Sequence, residues 1–227
     1  MILIDLIPIM ILGAVLGMDV VTFPQAMISR PIVAATAAGA FIGNAPAGLI
    51  MGAILELLAL EMLPFGASRY PEWGSASVVG GALYAESWGS PPGALTASLF
   101  AALVTAMVSG WSMVKLRRLN ASRSATVRDE LDRGSAAAVT GLQIFGLTAD
   151  LVRGGLVTMI AMLVFSPIVP AIVAHWSVDP RTSRAIVVGV VSAVAAGAIW
   201  KIFHSVTGAR LLFLAGLAIG AFLVVIR

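Results

Sequence analysis

Glu56 and Glu61 stand in the run QAMISRPIVAATAAGAFIGNAPAGLIMGAILELLALEMLPFGA, residues 25–67, whose one other charged group is Arg30. A charge at bilayer depth costs roughly 2.5–3.5 kcal/mol on insertion scales, so such groups mark polar sites inside a membrane protein. Gly48, Gly52 and Glu56 are spaced by four and share one helix face. The small residues on that face let a second backbone approach, and Glu56 then points into the protein and away from lipid. Glu61 lies about 140° further round the helix at 100° per residue, so the two carboxylates need not share a partner. A buried carboxylate among small residues, with amide side chains nearby, suits the hydroxyls of a sugar. Gln25, Asn44, Ser68, Arg69 and Glu72 could complete such a site. In a second reading, Glu56 is the partner of Arg30 or Arg69 in a structural ion pair. For Arg30, capping or pairing stands beside ligand contact.

Other polar groups read more plainly. Asp19 marks a helix end, and Asp150 and Arg153, three apart, form a local pair. His175 beside Trp176 fits an interfacial belt, and Lys201 and His204 are flanking anchors. No cysteine is present, which excludes disulfides, thiolate catalysis and cysteine metal sites. H-E-x-x-H, Walker A and G-x-S-x-G motifs are all missing, so no catalytic residue, metal or cofactor is expected.

The elements that position these groups belong to a membrane protein. Of 227 residues, 59% are hydrophobic and 11% charged, against about 25% charged in soluble domains. The expected fold is an all-α integral membrane protein of about six crossing segments plus re-entrant helical hairpins, a single domain over 1–227. Pro31 to Ile42 would be about 18 Å long as a helix, too short to cross a core about 30 Å thick. With Ala47 to Leu63 it forms a hairpin dipping into the membrane, or a pair of broken helices. Half-helices of this kind bring backbone dipoles to a transport site. Pro71 to Gly93, rich in Gly, Ser and Pro, reads as irregular backbone buried in protein or lining a cavity. Spans are expected at 94–114, 156–176, 185–200 and 211–226, besides a first apolar segment at 2–17. Six basic residues between Lys115 and Arg133 make 115–135 the one hydrophilic loop and place it in the cytoplasm. Without a basic stripe bearing interleaved aromatics elsewhere, nucleic acid is not an expected partner.

The pieces QAMISRPIVAAT, GAFIGNAPAGLIMGAILELLALEMLP and FGASRYPEWGSAS resemble the IIC subunit of the mannose-fructose-sorbose family of sugar phosphotransferase systems. The match is carried by Arg30-Pro31, Gly43, Gly48 to Glu56 and Gly66-Ala67-Ser68, is specific over about 19–80, and continues more loosely to the C-terminus. It implies a permease subunit of the bacterial inner membrane that binds and moves a hexose-type sugar. It also implies a IID membrane subunit as partner, cytoplasmic IIA and IIB proteins that pass phosphate through histidines, and a trimer of IIC–IID pairs. The IIC subunit itself carries no phosphorylated residue. Asn44 replaces the family's usual Asp, Glu61 lies where Gly is common, and Arg69-Tyr70-Pro71-Glu72 replaces a Val-x-Pro-Asp-like piece. These departures bear on which sugar is carried. The alternative is a non-transporting membrane scaffold or regulatory component of an incomplete phosphotransferase system.

Overall fold

The computed structural model describes residues 6–60, 69–88 and 93–225, and all regular structure among them is helical. The first helix, α1 (Leu6–Asp19), opens into a loop over residues 20–30. Helices α2 (Pro31–Ile42) and α3 (Ala45–Ala59) then form a tight antiparallel hairpin. Pro31 begins α2, where its fixed φ suits a helix start. Gly43 ends it at φ 93°, a left-handed conformation that glycine adopts without strain. Asn44 caps α3, its Oδ1 accepting from the Ala47 N–H at 3.2 Å. The expected hairpin is therefore present, and glycine governs its closeness. A Cβ on Gly48 would lie 2.3 Å from the Ala35 carbonyl oxygen, and one on Gly52 2.8 Å from Ile32 Cα.

Helix α4 (Trp73–Glu86) is the central element, packed against α1, α2, α3, the next helix, α5 (Gly93–Thr126), and the long helix α7 (Ala136–Ala174). This corrects the expectation of irregular backbone over 73–86, while 89–92 of the expected 71–93 stretch lie outside the described residues. The Gly and Ser content serves close packing and leaves the helix regular. A Cβ on Gly74 would meet the Leu16 carbonyl oxygen at 2.3 Å, and one on Gly81 the Ala35 carbonyl oxygen at 2.5 Å. Every residue from Gly74 to Leu83 is buried, as expected for a segment that does not face lipid.

The hydrophilic segment is also helical. Helix α5 runs on to Thr126, and a short α6 (Arg128–Asp132) follows, so 115–135 is not an open loop. No Gly or Pro occurs between Gly110 and Gly134, and Lys, Arg, Leu and Ala all favour helix. At 34 residues α5 is about 51 Å long, well beyond a hydrocarbon core of about 30 Å. Its polar end therefore projects past any membrane it crosses. Likewise α7 (Ala136–Ala174) joins the weakly polar 136–150 stretch to the expected span in one helix, continuous through Pro167 and Pro170. Helices α8 (Pro180–Phe203) and α9 (Ala209–Val225) complete the chain. Helices α5, α7 and α8 are long and apolar enough to cross a membrane, while α1, α2, α3 and α9 are shorter apolar helices. Two buried apolar groups hold the bundle together, one around Ile9, Ala34, Val78, Leu83 and Met162, the other around Met51, Leu55 and Ala102.

Candidate functional site at the start of α4

A cavity of about 430 Å³ lies where the 20–30 loop, the start of α2, the end of α3 and the start of α4 meet. Asp19, Gln25, Arg30 and Glu72 bring polar groups to its wall, and Tyr70 and Trp73 bring aromatic surface. Ligand pockets of this kind run about 300–1,000 Å³ with a few fixed polar groups.

Each wall is held by its own carboxylate. Asp19, 1% exposed, closes the loop on itself. Its Oδ1 accepts from the Ala26 N–H at 2.8 Å, and its Oδ2 from the Ser29 N–H at 2.9 Å and the Ser29 hydroxyl at 2.8 Å. Within the loop Gln25 and Met27 adopt φ of 59° and 60°, left-handed values uncommon for non-glycine residues. The Gln25 amide donates to the Val21 carbonyl at 2.9 Å, which leaves its oxygen side free of that bond. Glu72, 2% exposed, caps α4 by accepting from the Ser75 N–H and accepts again from the Ser109 hydroxyl at 2.6 Å. Its own N–H donates to the Ala106 carbonyl at 3.0 Å, fixing this wall to α5.

Glu56 does what its helix face implies. It points into the α2–α3 contact, where its Oε1 accepts from the Arg30 guanidinium and its Oε2 from the Ile32 N–H at 3.3 Å. A carboxylate at the first turn of α2 also complements that helix's dipole. Glu56 does not itself line the cavity; Arg30 does. The ion pair with Arg30 is thus formed, and Glu56 stands behind the group that faces the cavity.

Of the other sequence candidates, Gln25, Arg30 and Glu72 come together, whereas Asn44 does not. It caps α3 at the opposite end of α2 from Arg30, about 18 Å of helix away. Arg69 lines a smaller neighbouring cavity with Tyr70, Pro71 and Met107. Glu61 and Ser68 lie outside the described residues. Trp73 is not among the sequence candidates, Tyr70 enters there only within the Arg69-to-Glu72 piece, and Asp19 only as a helix end. Asp19 is indeed the last residue of α1, but it also builds the cavity loop. The signal that could have found it is a carboxylate ten residues before an S-R-P helix start, within reach of a loop that returns on itself.

Behind the cavity lies a continuous buried polar chain. The expected Asp150–Arg153 pair forms, with Arg153 Nε donating to Asp150 Oδ1 at 2.7 Å. Arg153 also donates to the hydroxyls of Ser109 at 2.8 Å and Ser112 at 3.3 Å and to the Gly17 carbonyl at 3.0 Å. Asp150 Oδ2 accepts from the Thr22 hydroxyl. On the other side, Arg117 of α5 donates to the Tyr70 hydroxyl and stacks on its ring, 5.0 Å from the centroid.

Comparison with known proteins agrees with this architecture. The family model EII-Sor, described as "PTS system sorbose-specific IIC component", matches residues 3–225. No curated protein gives a significant match. A solved chain described as "Structure of membrane protein" superposes with a TM-score of 0.76 at 19% identity, over 96% of this chain and 87% of the other. At that identity the likeness concerns the fold.

Proposed function

We propose a function from one premise: the chain belongs to the family of sorbose-specific IIC components of the phosphotransferase system. It is a sugar-permease subunit and a multi-pass membrane protein. In our reading it binds a hexose-type sugar in the cavity at the start of α4 and moves it inward for phosphorylation by IIB, working with a IID subunit.

The observation that carries this reading is the composition of the cavity wall. Asp19 and Glu72 supply acceptors, Arg30 a fork of donors, and Gln25 an amide able to do both. Tyr70 and Trp73 offer flat apolar surface for the C–H face of a pyranose ring. A wall of this kind suits a neutral polyhydroxylated ligand. Since the carboxylates of Asp19 and Glu72 already accept from protein groups, we assign direct contact first to Arg30 and Gln25. Glu56 keeps Arg30 oriented, and Asn44 and Arg69 have no direct role in this assignment.

Orientation follows from the basic end of α5. Six Lys and Arg residues between 115 and 133 favour the cytoplasmic side of a bacterial inner membrane. The cavity lies level with residues 106–117 of α5, because Glu72 bonds to Ala106 and Tyr70 to Arg117. In that orientation the bound sugar sits near the cytoplasmic end of the bundle, within reach of a soluble phosphodonor.

The test is binding and uptake of labelled hexoses by the IIC–IID pair reconstituted in vesicles, with and without phosphorylated IIB. Saturable binding, with sugar phosphate accumulating only when phosphorylated IIB is present, is expected. A well-assembled pair that binds and moves no hexose contradicts the proposal.

A further inference from the structure

We infer that the buried Asp150–Arg153 pair of α7 is the positioning anchor of the substrate loop, fixing the 20–30 segment against the bundle and so setting the geometry in which Gln25 and Arg30 meet a sugar. The inference rests on the sugar-binding reading above.

The loop needs such an anchor. It has no regular secondary structure, yet it supplies much of the cavity wall, including Gln25 and Met27. Asp19 ties the loop to itself but not to any other helix. Attachment to α7 comes from the Thr22 hydroxyl, which donates to Asp150. Asp150 is wholly buried and its other oxygen is taken by Arg153.

Arg153 then reaches the cavity from two more directions. Its Nη2 donates to the Gly17 carbonyl at 3.0 Å, in the last turn of α1, where the loop departs. A cation there also complements the negative end of the helix dipole. Its Nη1 donates to Ser109 at 2.8 Å, and Ser109 donates onward to Glu72 at 2.6 Å in the opposite wall. One guanidinium thus holds the root of the loop through Gly17, its first turn at Thr22 through Asp150, and the facing wall through Ser109. A lysine could not replace it, since it lacks the planar fork that makes these bonds at once.

Removing Arg153 or Asp150 would leave an uncompensated buried charge and risk the fold. Thr22 gives a cleaner test, because Thr22→Val deletes the hydroxyl and little else, and Thr22→Ser keeps it. Both are made in the IIC–IID pair, and hexose affinity, thermal midpoint and backbone hydrogen exchange are measured. Thr22→Val is expected to weaken hexose affinity about three- to tenfold, the effect of one hydrogen bond. It should also speed exchange within residues 20–30 and lower the melting temperature of the pair only slightly, because Asp150 loses one donor but keeps Arg153, while Thr22→Ser behaves as wild type. Unchanged exchange within residues 20–30 in Thr22→Val, or exchange that speeds up equally throughout the bundle, overturns the anchor. Failure of the wild-type pair to bind any hexose sinks the sugar reading instead, and the exchange measurement still decides whether the loop is anchored here.

Discussion

Arg30 and Glu56 come from different helices and meet because Gly48 and Gly52 let those helices approach. Glu56→Gln should keep the shape but lose the charge that orients Arg30. Hydrogen bonds to charged groups are worth roughly 1.5–3 kcal/mol, so hexose affinity is expected to fall about 10- to 150-fold with the complex still assembled. Titration calorimetry on the purified pair checks this, and wild-type affinity in a well-folded variant contradicts it. Asn44→Ala should behave differently. The loss of a helix cap costs about 1 kcal/mol of stability, with hexose affinity unchanged in the same titration. At this scale Glu56 was legible, because a four-residue spacing with two glycines dictates its face. Asn44 was legible as a polar group but not as a helix cap away from the cavity. An amide suits hydroxyls and helix caps equally well, and only the position of Pro46 behind it favours the cap. Tyr70 and Trp73 carried no periodic signal, since they reach the cavity only after α4 is seated among its neighbours.

The α2–α3 hairpin is the element on which the Arg30 position depends, and its packing tolerates no added atom. A Cβ on Gly48 would sit 2.3 Å from a backbone oxygen that cannot rotate away. Gly48→Ala is expected to destabilise the protein by about 1–3 kcal/mol, the usual cost of overpacking. Gly141→Ala on α7 is the control, because a Cβ there meets nothing within 4 Å. It should be neutral or slightly stabilising, and thermal melts of the two variants compare them directly. The long helices bear on topology. Ser122 lies exposed on the polar extension of α5, and Ser177 is exposed in the turn between α7 and α8. Since the chain has no native cysteine, Ser122→Cys and Ser177→Cys each give a single label site. An impermeant thiol reagent added to intact cells should modify position 177 and spare 122; the reverse would invert the orientation. The short apolar lengths of α2 and α3 made the hairpin legible. The regularity of α4 was not, because Gly and Ser bear equally on loops and on close helix contacts. The 115–135 segment misled in another way, since hydrophilic composition says nothing against helix when Gly and Pro are absent.

At the scale of the whole molecule, the bundle is unevenly covered. Helix α4 is enclosed on all sides, while α8 and α9 carry many exposed large apolar residues, among them Ile186, Val188, Leu211, Leu212 and Phe222. Lipid or a partner subunit must cover them, and the proposed IID subunit is one such cover. The membrane class of the protein was legible from composition alone, and its membership from the Arg30-Pro31 and Gly48-to-Glu56 pieces. The cavity was not, because its walls are drawn from segments at 19–31, 59 and 70–73 that meet only in the folded bundle. Whether that cavity holds the sugar is the central claim, and Met27 gives direct access to it. Met27 lines the cavity, is 67% exposed, and is not assigned to hydrogen-bond the ligand. In the IIC–IID pair, the rate of thiol modification of Met27→Cys is measured with and without saturating hexose, alongside Ser122→Cys. One hexose is expected to slow modification at position 27 and to leave position 122 unaffected. Equal rates at position 27 with and without a hexose that the pair demonstrably binds would place the sugar outside this cavity.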